Sequence, residues 1–248
     1  MTTVYTILGM HKSGTTLLSQ MLDASGIGMI EGVDSRSYDQ GNHFERLSTN
    51  GLNKRLLGCG EANSLRVITP YAAGPDHADR IAEARALASE IAAPGGDWGF
   101  KDPRSCLTHA FWAEALPDLR VICVYRSAAS VRRHYTARKH LSVSRGARAL
   151  RAWYLYNHGM LAAYDSTAPA RRILLNYETL LTDDAELRRL QAFVGRPLQD
   201  SRRPALNRRS SAIGLRERIE RAALRGFAGL DITALESRLA AALAAERG

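Results

Sequence analysis

The stretch "ILGMHKSGTTLL", residues 7–18, restricts the fold more than any other part of the chain. A short β-branched and apolar run, Val4 to Leu8, leads into it. Behind it, "TTLLSQMLDASG" has the apolar spacing and terminal glycine of a helix. Strand, glycine loop and helix in that order gather backbone N–H groups at the positive end of the helix, where an anion is held. Gly9 and Gly14 stand at the separation found in G-x-x-x-x-G-K-[ST], but the next position, where a lysine reaches the terminal phosphates of a nucleoside triphosphate, is Thr15. The nearby lysine is Lys12, two residues before the second glycine. The loop therefore keeps its anion cradle and moves its charge.

The same alternation continues along the chain. "IGMI" at Ile27 to Ile30, "WGFKD", "RVICVY" and "RRILLNY" read as strands, and "RVICVY" has the continuous apolar character of a buried one. Helices are expected over "LSTNGLNKRLL", over "HADRIAEARALASEIAA" with its stop at Pro94, Gly95 and Gly96, and over "RSAASVRRHYTARKH" with Ser127 as N-cap. Further helices are expected over much of Ala147 to Tyr164, over "DDAELRRLQAFVG" closed by Gly195, and in the C-terminal "LRERIERAALRG" and "ITALESRLAAALAAE". Gly32 to Asn42 reads as a loop. This order predicts an α/β fold, a P-loop three-layer sandwich with a central, mostly parallel sheet and helices on both faces, as one domain over 1–248. In such sheets ligands sit beyond the carboxyl ends of the strands. That rule sets Gly9 to Thr16, Glu31, Lys101 to Arg104 and Arg126 along one edge.

Charge says what kind of ligand to expect. The net charge is +9, which favours an anionic ligand. Much of the positive charge is arginine scattered along helices without a base-reading motif, so no nucleic-acid partner is expected. No apolar run approaches the roughly 18 residues of a membrane span, and no leader pattern opens the chain, which reads as a cytoplasmic protein. Cys59, Cys106 and Cys123 read as free thiols. A triphosphate site also needs Mg²⁺ held by the loop hydroxyl and by an acid after another strand. "VICVY" ends in Arg126, "RILLN" in Asn176, and Asp102 stands beside Lys101, so no second acid stands out. Arg126 at a strand end suggests a second anionic group about one loop's width from the first, gripped bidentately; its alternative is a salt bridge to a neighbouring carboxylate. Two separated phosphate positions imply a nucleotide phosphorylated at two places.

"GMHKSGTTLL", "GFKDPRS", "VICVYRS", "WYLYN", "NYETLL" and "FVG" together resemble the sulfotransferase family that uses 3'-phosphoadenosine 5'-phosphosulfate, above all its bacterial carbohydrate-type and tyrosyl-protein branches. The resemblance runs from about residue 4 to residue 195 and leaves a helical part, 196–248, outside it. It implies that Lys12, Ser13, Gly14, Thr15 and Thr16 form the 5'-phosphosulfate loop, that Arg126 binds the 3'-phosphate, and that Lys101 faces the sulfonate. It also implies a small-molecule or glycan acceptor with a free hydroxyl. The chain has four lysines, at 12, 54, 101 and 139, against thirty arginines, so lysine at 12 and 101 reads as a chemical requirement; for Lys101 the alternative is a structural pair with Asp102 or Glu114.

Two features depart from the family pattern. The serine expected two helical turns after the arginine is His134 here, and the usual proline is absent. His134 or Ser130 is then the candidate second ligand of the 3'-phosphate. For the base that accepts the acceptor's proton, Glu31 ranks first, as the residue after the expected second strand. Glu45 follows, with helix capping as its alternative, and then His43 and Asp39. Two other readings compete: a kinase or nucleotide hydrolase, separable by its need for Mg²⁺, and a non-catalytic module that binds phosphorylated ligands.

Overall fold

The computed structural model describes residues 2–31, 44–60, 65–137, 143–203 and 213–247. In chain order the elements are β1 (Val4–Leu8), α1 (Thr15–Ala24), α2 (Leu47–Leu56), α3 (His77–Ala92), β2 (Trp98–Lys101), α4 (Ser105–Ala115), β3 (Arg120–Tyr125) and α5 (Ala128–Thr136). They continue with α6 (Val143–Ser166), β4 (Arg172–Asn176), α7 (Tyr177–Leu180), α8 (Asp184–Val194), α9 (Leu215–Ala228) and α10 (Ile232–Arg247). The strands form one sheet in the order β2-β1-β3-β4, and every pairing is parallel. Ile7 stands opposite Lys101, Leu8 opposite Cys123 and Tyr125 opposite Asn176. The register brings the carboxyl ends of all four strands to one edge, as the strand–helix alternation predicts.

Period-two alternation divides β3 between two helical layers. Val121 and Cys123 pack with Trp153, Tyr156 and Met160 of α6 and with Leu235 and Leu239 of α10. Ile122 and Val124 pack with Leu18, Met21 and Leu22 of α1 and with Leu187 and Leu190 of α8. Each such side chain, taken fully out of water, contributes about 2 kcal/mol. A third cluster joins Leu52, Ile81, Phe100, Phe111 and Trp112 beneath α2, α3 and α4.

The structure corrects three expectations. Ile27–Ile30 does not form a strand: it makes one parallel bridge, Gly28 to Trp98, because Met29 N–H turns to the Asp23 carboxylate (2.9 Å) instead of a strand neighbour. The helix α4 was not foreseen. Eight of its eleven residues are buried, three of them polar, so burial nearly encircles it and no apolar stripe shows in the sequence. α6 starts at Val143, four residues before the expected start, and α5 ends at Thr136; the remainder of the helix read over "RSAASVRRHYTARKH" extends into 138–142, outside the described residues.

At the far edge of the sheet, Leu174 N–H donates to Glu246 Oε2 (2.9 Å). Arg189 Nη2 donates to Leu174 O (3.5 Å) and to Glu246 Oε1 (2.7 Å).

Candidate active site

The loop after β1 is shaped by two glycines with different reasons to be glycine. A Cβ on Gly9 would lie 2.5 Å from the Val124 carbonyl oxygen of the adjacent strand. Gly14 has φ 95°, and a Cβ there would lie 2.0 Å from Tyr177 Cδ2. Lys12 is also left-handed, at φ 72°; a side chain in that region costs about 1–2 kcal/mol, the kind of strain that collects at binding sites. Ser13 N–H closes the turn onto Met10 O (3.1 Å). α1 then starts with no side chain capping it from Gly14. The first N–H groups of a helix have no intrahelical partners, so its first turn offers them to an anion. Ser13 Oγ is buried and makes no hydrogen bond among the described residues. This donor set, with Lys12 in the same loop, fits a phosphate or sulfonate group.

The loop opens on a cavity of about 450 Å³. Lys12, Gly14, Thr15 and Thr16 line it, together with Glu45, Lys101, Arg126 and His134, and it also touches His11, Arg104 and Tyr177. Ser13 lies beneath the lining, fully buried. Lys101, the last residue of β2, has a side chain only 2% exposed, and its Nζ donates to Glu45 Oε1 (2.8 Å). Asn50 Nδ2 donates to the other oxygen, Glu45 Oε2 (2.7 Å), and Arg104 Nη1 donates to Asn50 Oδ1 (3.3 Å). Both oxygens of Glu45 are therefore held.

The ionisation states follow from burial and partners. Burial pulls the Lys101 ammonium below its ordinary value, and the Glu45 carboxylate beside it works in the opposite sense. Burial pushes Glu45 up, but the charge and hydrogen bond of Lys101 outweigh it and leave the carboxyl below the usual range. Burial also pulls His11 down to about 4, helped by the cations of Lys101, Arg104 and Lys12, so its imidazole is neutral near pH 7. Asp102, fully buried, is pushed up to about 6 by desolvation, although Arg104 stands 3.4 Å away. Lys101 takes neither of its expected structural partners: Asp102 pairs with Arg104, and Glu114 pairs with His77.

Arg126 follows β3 and lies over the Tyr177 ring, 5.2 Å from its centroid. Its Nε is 3.6 Å from Glu178 Oε1, and its Nη1 donates to Lys12 O (3.4 Å). The guanidinium thus makes the salt bridge that the sequence left as an alternative and still lines the cavity. The same Glu178 accepts from the Ser127 hydroxyl (2.9 Å), which in turn shares a 2.8 Å hydrogen bond with Ser130 Oγ. Ser130 is therefore buried in the cap of α5 and away from the cavity, whereas exposed His134, one turn further on, lines it.

The two carboxylates exchange places relative to the sequence expectation. Glu31 accepts from Ser48 N–H (3.2 Å) and from the Ser48 hydroxyl at the start of α2, and it is not part of the cavity lining. Glu45, for which capping was the alternative, points instead at Lys101 and Asn50 inside the cavity. His43, Asp39 and the whole of the Gly32 to Asn42 loop lie outside the described residues. Sequence reasoning gave no role to His11, Arg104 or Tyr177. Yet "GMHK", "DPRS" and "NYET" carry them directly behind three strands, where the strand-end rule points.

None of the curated proteins matches the chain at a significant level. The family model described as "Sulfotransferase family" matches residues 6–200. Among solved structures, the sulfotransferase domain from the Synechococcus PCC 7002 olefin synthase is similar at a TM-score of 0.51 and 18% identity, over 88% of this chain and 80% of that one. Sulfotransferase STF1 from Mycobacterium tuberculosis H37Rv is similar at a TM-score of 0.50 and 15% identity, over 97% and 77%. A sulfotransferase from Alicyclobacillus acidocaldarius gives 0.50 and 16%, over the whole of both chains. At these identities the structures speak for a shared P-loop-type fold. With a match that extends from β1 to beyond α8, over the glycine loop and all four strands, the chain belongs to the sulfotransferase family.

Proposed function

We propose that this sulfotransferase draws on 3'-phosphoadenosine 5'-phosphosulfate and modifies a hydroxyl of a carbohydrate, natural product or other small acceptor, with no metal ion. The observation that carries this reading is one cavity bordered by three separate cations: Lys12 in the loop, Arg126 behind β3, and buried Lys101, which is paired with Glu45. The donor supplies a sulfonate on a phosphate oxygen and a second phosphate on its ribose. Lys12 and the first N–H groups of α1 hold the 5' end of such a nucleotide, and Arg126, steadied by Tyr177 and Glu178, holds the 3'-phosphate, with His134 beside it. Lys101 has three N–H donors and spends one on Glu45. The others are available to stabilise negative charge that grows in the cavity, as fixed cations do at developing oxyanions.

Glu45 is the better candidate for the base. It is ionised, oriented through both oxygens and set in the cavity, whereas Glu31 is occupied with α2. Asn50 is then a positioning residue that holds the carboxylate.

Thermal unfolding tests the donor. Adenosine 3',5'-bisphosphate in EDTA is expected to raise the melting temperature, since a ligand that binds only the native state stabilises it. ATP with Mg²⁺ is expected to raise it much less. Stabilisation by ATP with Mg²⁺ alone would move the protein to phosphoryl transfer. Incubating a metabolite extract with enzyme and donor, followed by mass spectrometry for a sulfonate gain, addresses the acceptor.

A further inference from the structure

α9 is built inside out. Its inward residues are mostly charged: Glu217, Glu220 and Arg221 are all buried, with half-buried Leu224 packed beside them against the core. Glu220 pairs with Arg132 of α5 (Oε1 to Nη2, 3.0 Å), and Arg221 pairs with Glu217 (2.9 Å) and with Glu236 of α10 (2.7 Å). Its outward residues include large apolar ones. Among the described residues four large hydrophobic side chains are exposed, and three of them are on this helix: Leu215 at 75%, Ile219 at 61% and Phe227 at 95%. With exposed Ala222 and Ala223 between them, they recur at i, i+4, i+7/8 and i+12, a band that winds about 120° around the helix from Leu215 to Phe227. An ordinary surface helix turns such a stripe to the core and its charges to water. Here the desolvation cost of the inner charges is met by ion pairs, and the apolar face is left outward.

We infer that this face of α9 docks on an anionic lipid surface. Arg216, Arg218 and Arg225 are exposed: at 100° per residue, Arg216 lies within the apolar band, between Ala223 and Phe227, and Arg218 and Arg225 fall along one side of it. That is where headgroup phosphates lie when an apolar ridge sinks to the level of the acyl chains. Arg218 and Arg225 also border a recess of about 920 Å³ between α9 and the start of α10. There Arg225, itself largely exposed, is tied to half-buried Asp231 (3.2 Å), so water or a phosphate can reach the guanidinium. A convex ridge that ends in a nearly fully exposed phenylalanine needs a matching pocket in a protein partner, but none in a fluid interface. A second copy packed by twofold symmetry would set the same three arginines against each other, on chains that each carry +9. The inference stands on α9 alone and is independent of the donor and the base.

Vesicle flotation of the full chain tests it, with vesicles of phosphatidylcholine alone and vesicles of equal parts phosphatidylcholine and phosphatidylglycerol. The native chain is expected to float with the mixed vesicles, to stay behind with the neutral ones, and to be released by high salt. Phe227→Ser removes the most exposed anchor and should abolish flotation. The triple variant Arg216→Gln, Arg218→Gln and Arg225→Gln should weaken it by roughly a hundredfold, from the contribution of each basic side chain near an anionic surface. The altered side chains are outside the core, and an unchanged melting temperature verifies that both variants are folded. The inference is overturned if the native chain floats with neither vesicle, if it floats equally with both, or if Phe227→Ser floats like the native chain. It is also overturned if sedimentation without lipid shows a dimer that Phe227→Ser dissolves, which would make the stripe a protein interface.

Discussion

Replacing Gly14 by alanine tests the geometry of the loop and the wall behind it together. Two costs arise. At φ 95° an alanine pays about 1–2 kcal/mol for the left-handed backbone. Its Cβ would also lie 2.0 Å from Cδ2, 2.5 Å from Cε2 and 2.8 Å from Cγ of Tyr177. Because Cγ is among these atoms, a swing of the ring tip does not relieve the contact and the base of the side chain has to move. Overpacking of that kind costs about 1–3 kcal/mol. The lower entropy of the unfolded alanine chain returns about 0.5–1 kcal/mol, which leaves about 3 kcal/mol net. In a chain of this size that corresponds to a fall of about 10 °C in melting temperature. Urea unfolding of the native chain, Gly14→Ala, Tyr177→Ala and the double variant separates the terms: coupling of about 2 kcal/mol between the two sites is expected, because removing the ring removes the clash but not the backbone strain. A Gly14→Ala variant within about 0.5 kcal/mol of the native chain would refute the reasoning, as would additive effects of the two substitutions. Since Arg126 rests on the Tyr177 ring, bisphosphate affinity should fall in Gly14→Ala as well.

Exchange of the two carboxylates gives a second expectation: Glu45→Gln should keep bisphosphate binding and lose about a hundredfold to ten-thousandfold in turnover, while Glu31→Gln keeps turnover and loses only about 1 kcal/mol of stability from the first turn of α2. Near-normal turnover in Glu45→Gln beside an inactive Glu31→Gln would reverse the assignment. A third concerns acid. His109 on α4 is buried, with no hydrogen-bond partner on either ring nitrogen among the described residues, and burial pulls it to about 4 from an ordinary 6.5. Between those values the unfolded chain binds a proton that the folded chain refuses, so stability is complete above pH 6.5 and falls by about 3 kcal/mol as pH drops to 4. Asp102, raised to about 6, acts in the opposite direction as pH falls from 6 toward 3.8. Urea midpoints between pH 7 and 4 should therefore fall less steeply in His109→Leu and more steeply in Asp102→Asn; an unchanged slope in His109→Leu would refute the assignment.

What the sequence disclosed depended on how local the cause was. β1, the glycine loop and α1 were legible because a strand, a glycine pair and a helix start leave their mark within twenty residues. β3 was legible because a strand covered on both faces has no polar alternation to confuse it. α4 was not, since a helix buried on nearly all sides has no amphipathic period. The short run at Ile27 had strand composition, but the Asp23 carboxylate captured the Met29 N–H, a competition no propensity registers. In the site, Lys101, Arg126 and the loop came from spacing and strand ends. The choice between Glu31 and Glu45 did not. It turns on which carboxylate reaches a buried lysine 56 residues further along and which reaches the N–H of Ser48, and only the packing of α2 against the end of β2 decides that. Ser130 failed as a phosphate candidate for a similar reason: its hydroxyl was already committed to the serine three residues before it.

The side chains at the edge of β4 bear on how copies of this protein can meet. A parallel sheet leaves a row of N–H and C=O groups along each outer strand, and another chain can extend the sheet there one strand at a time. At Leu174 the outward N–H is taken by Glu246 and the outward carbonyl by Arg189, so the groups that would template an added strand are filled by carboxylate and guanidinium from α10 and α8. At the opposite edge, Gly28 accepts from Gly99 N–H and donates to Asp97 O beside β2. Strand-by-strand growth into a shared sheet is thus blocked at these positions on both sides. Self-association there would have to work through helical faces, whose contacts are discrete and saturable rather than open-ended.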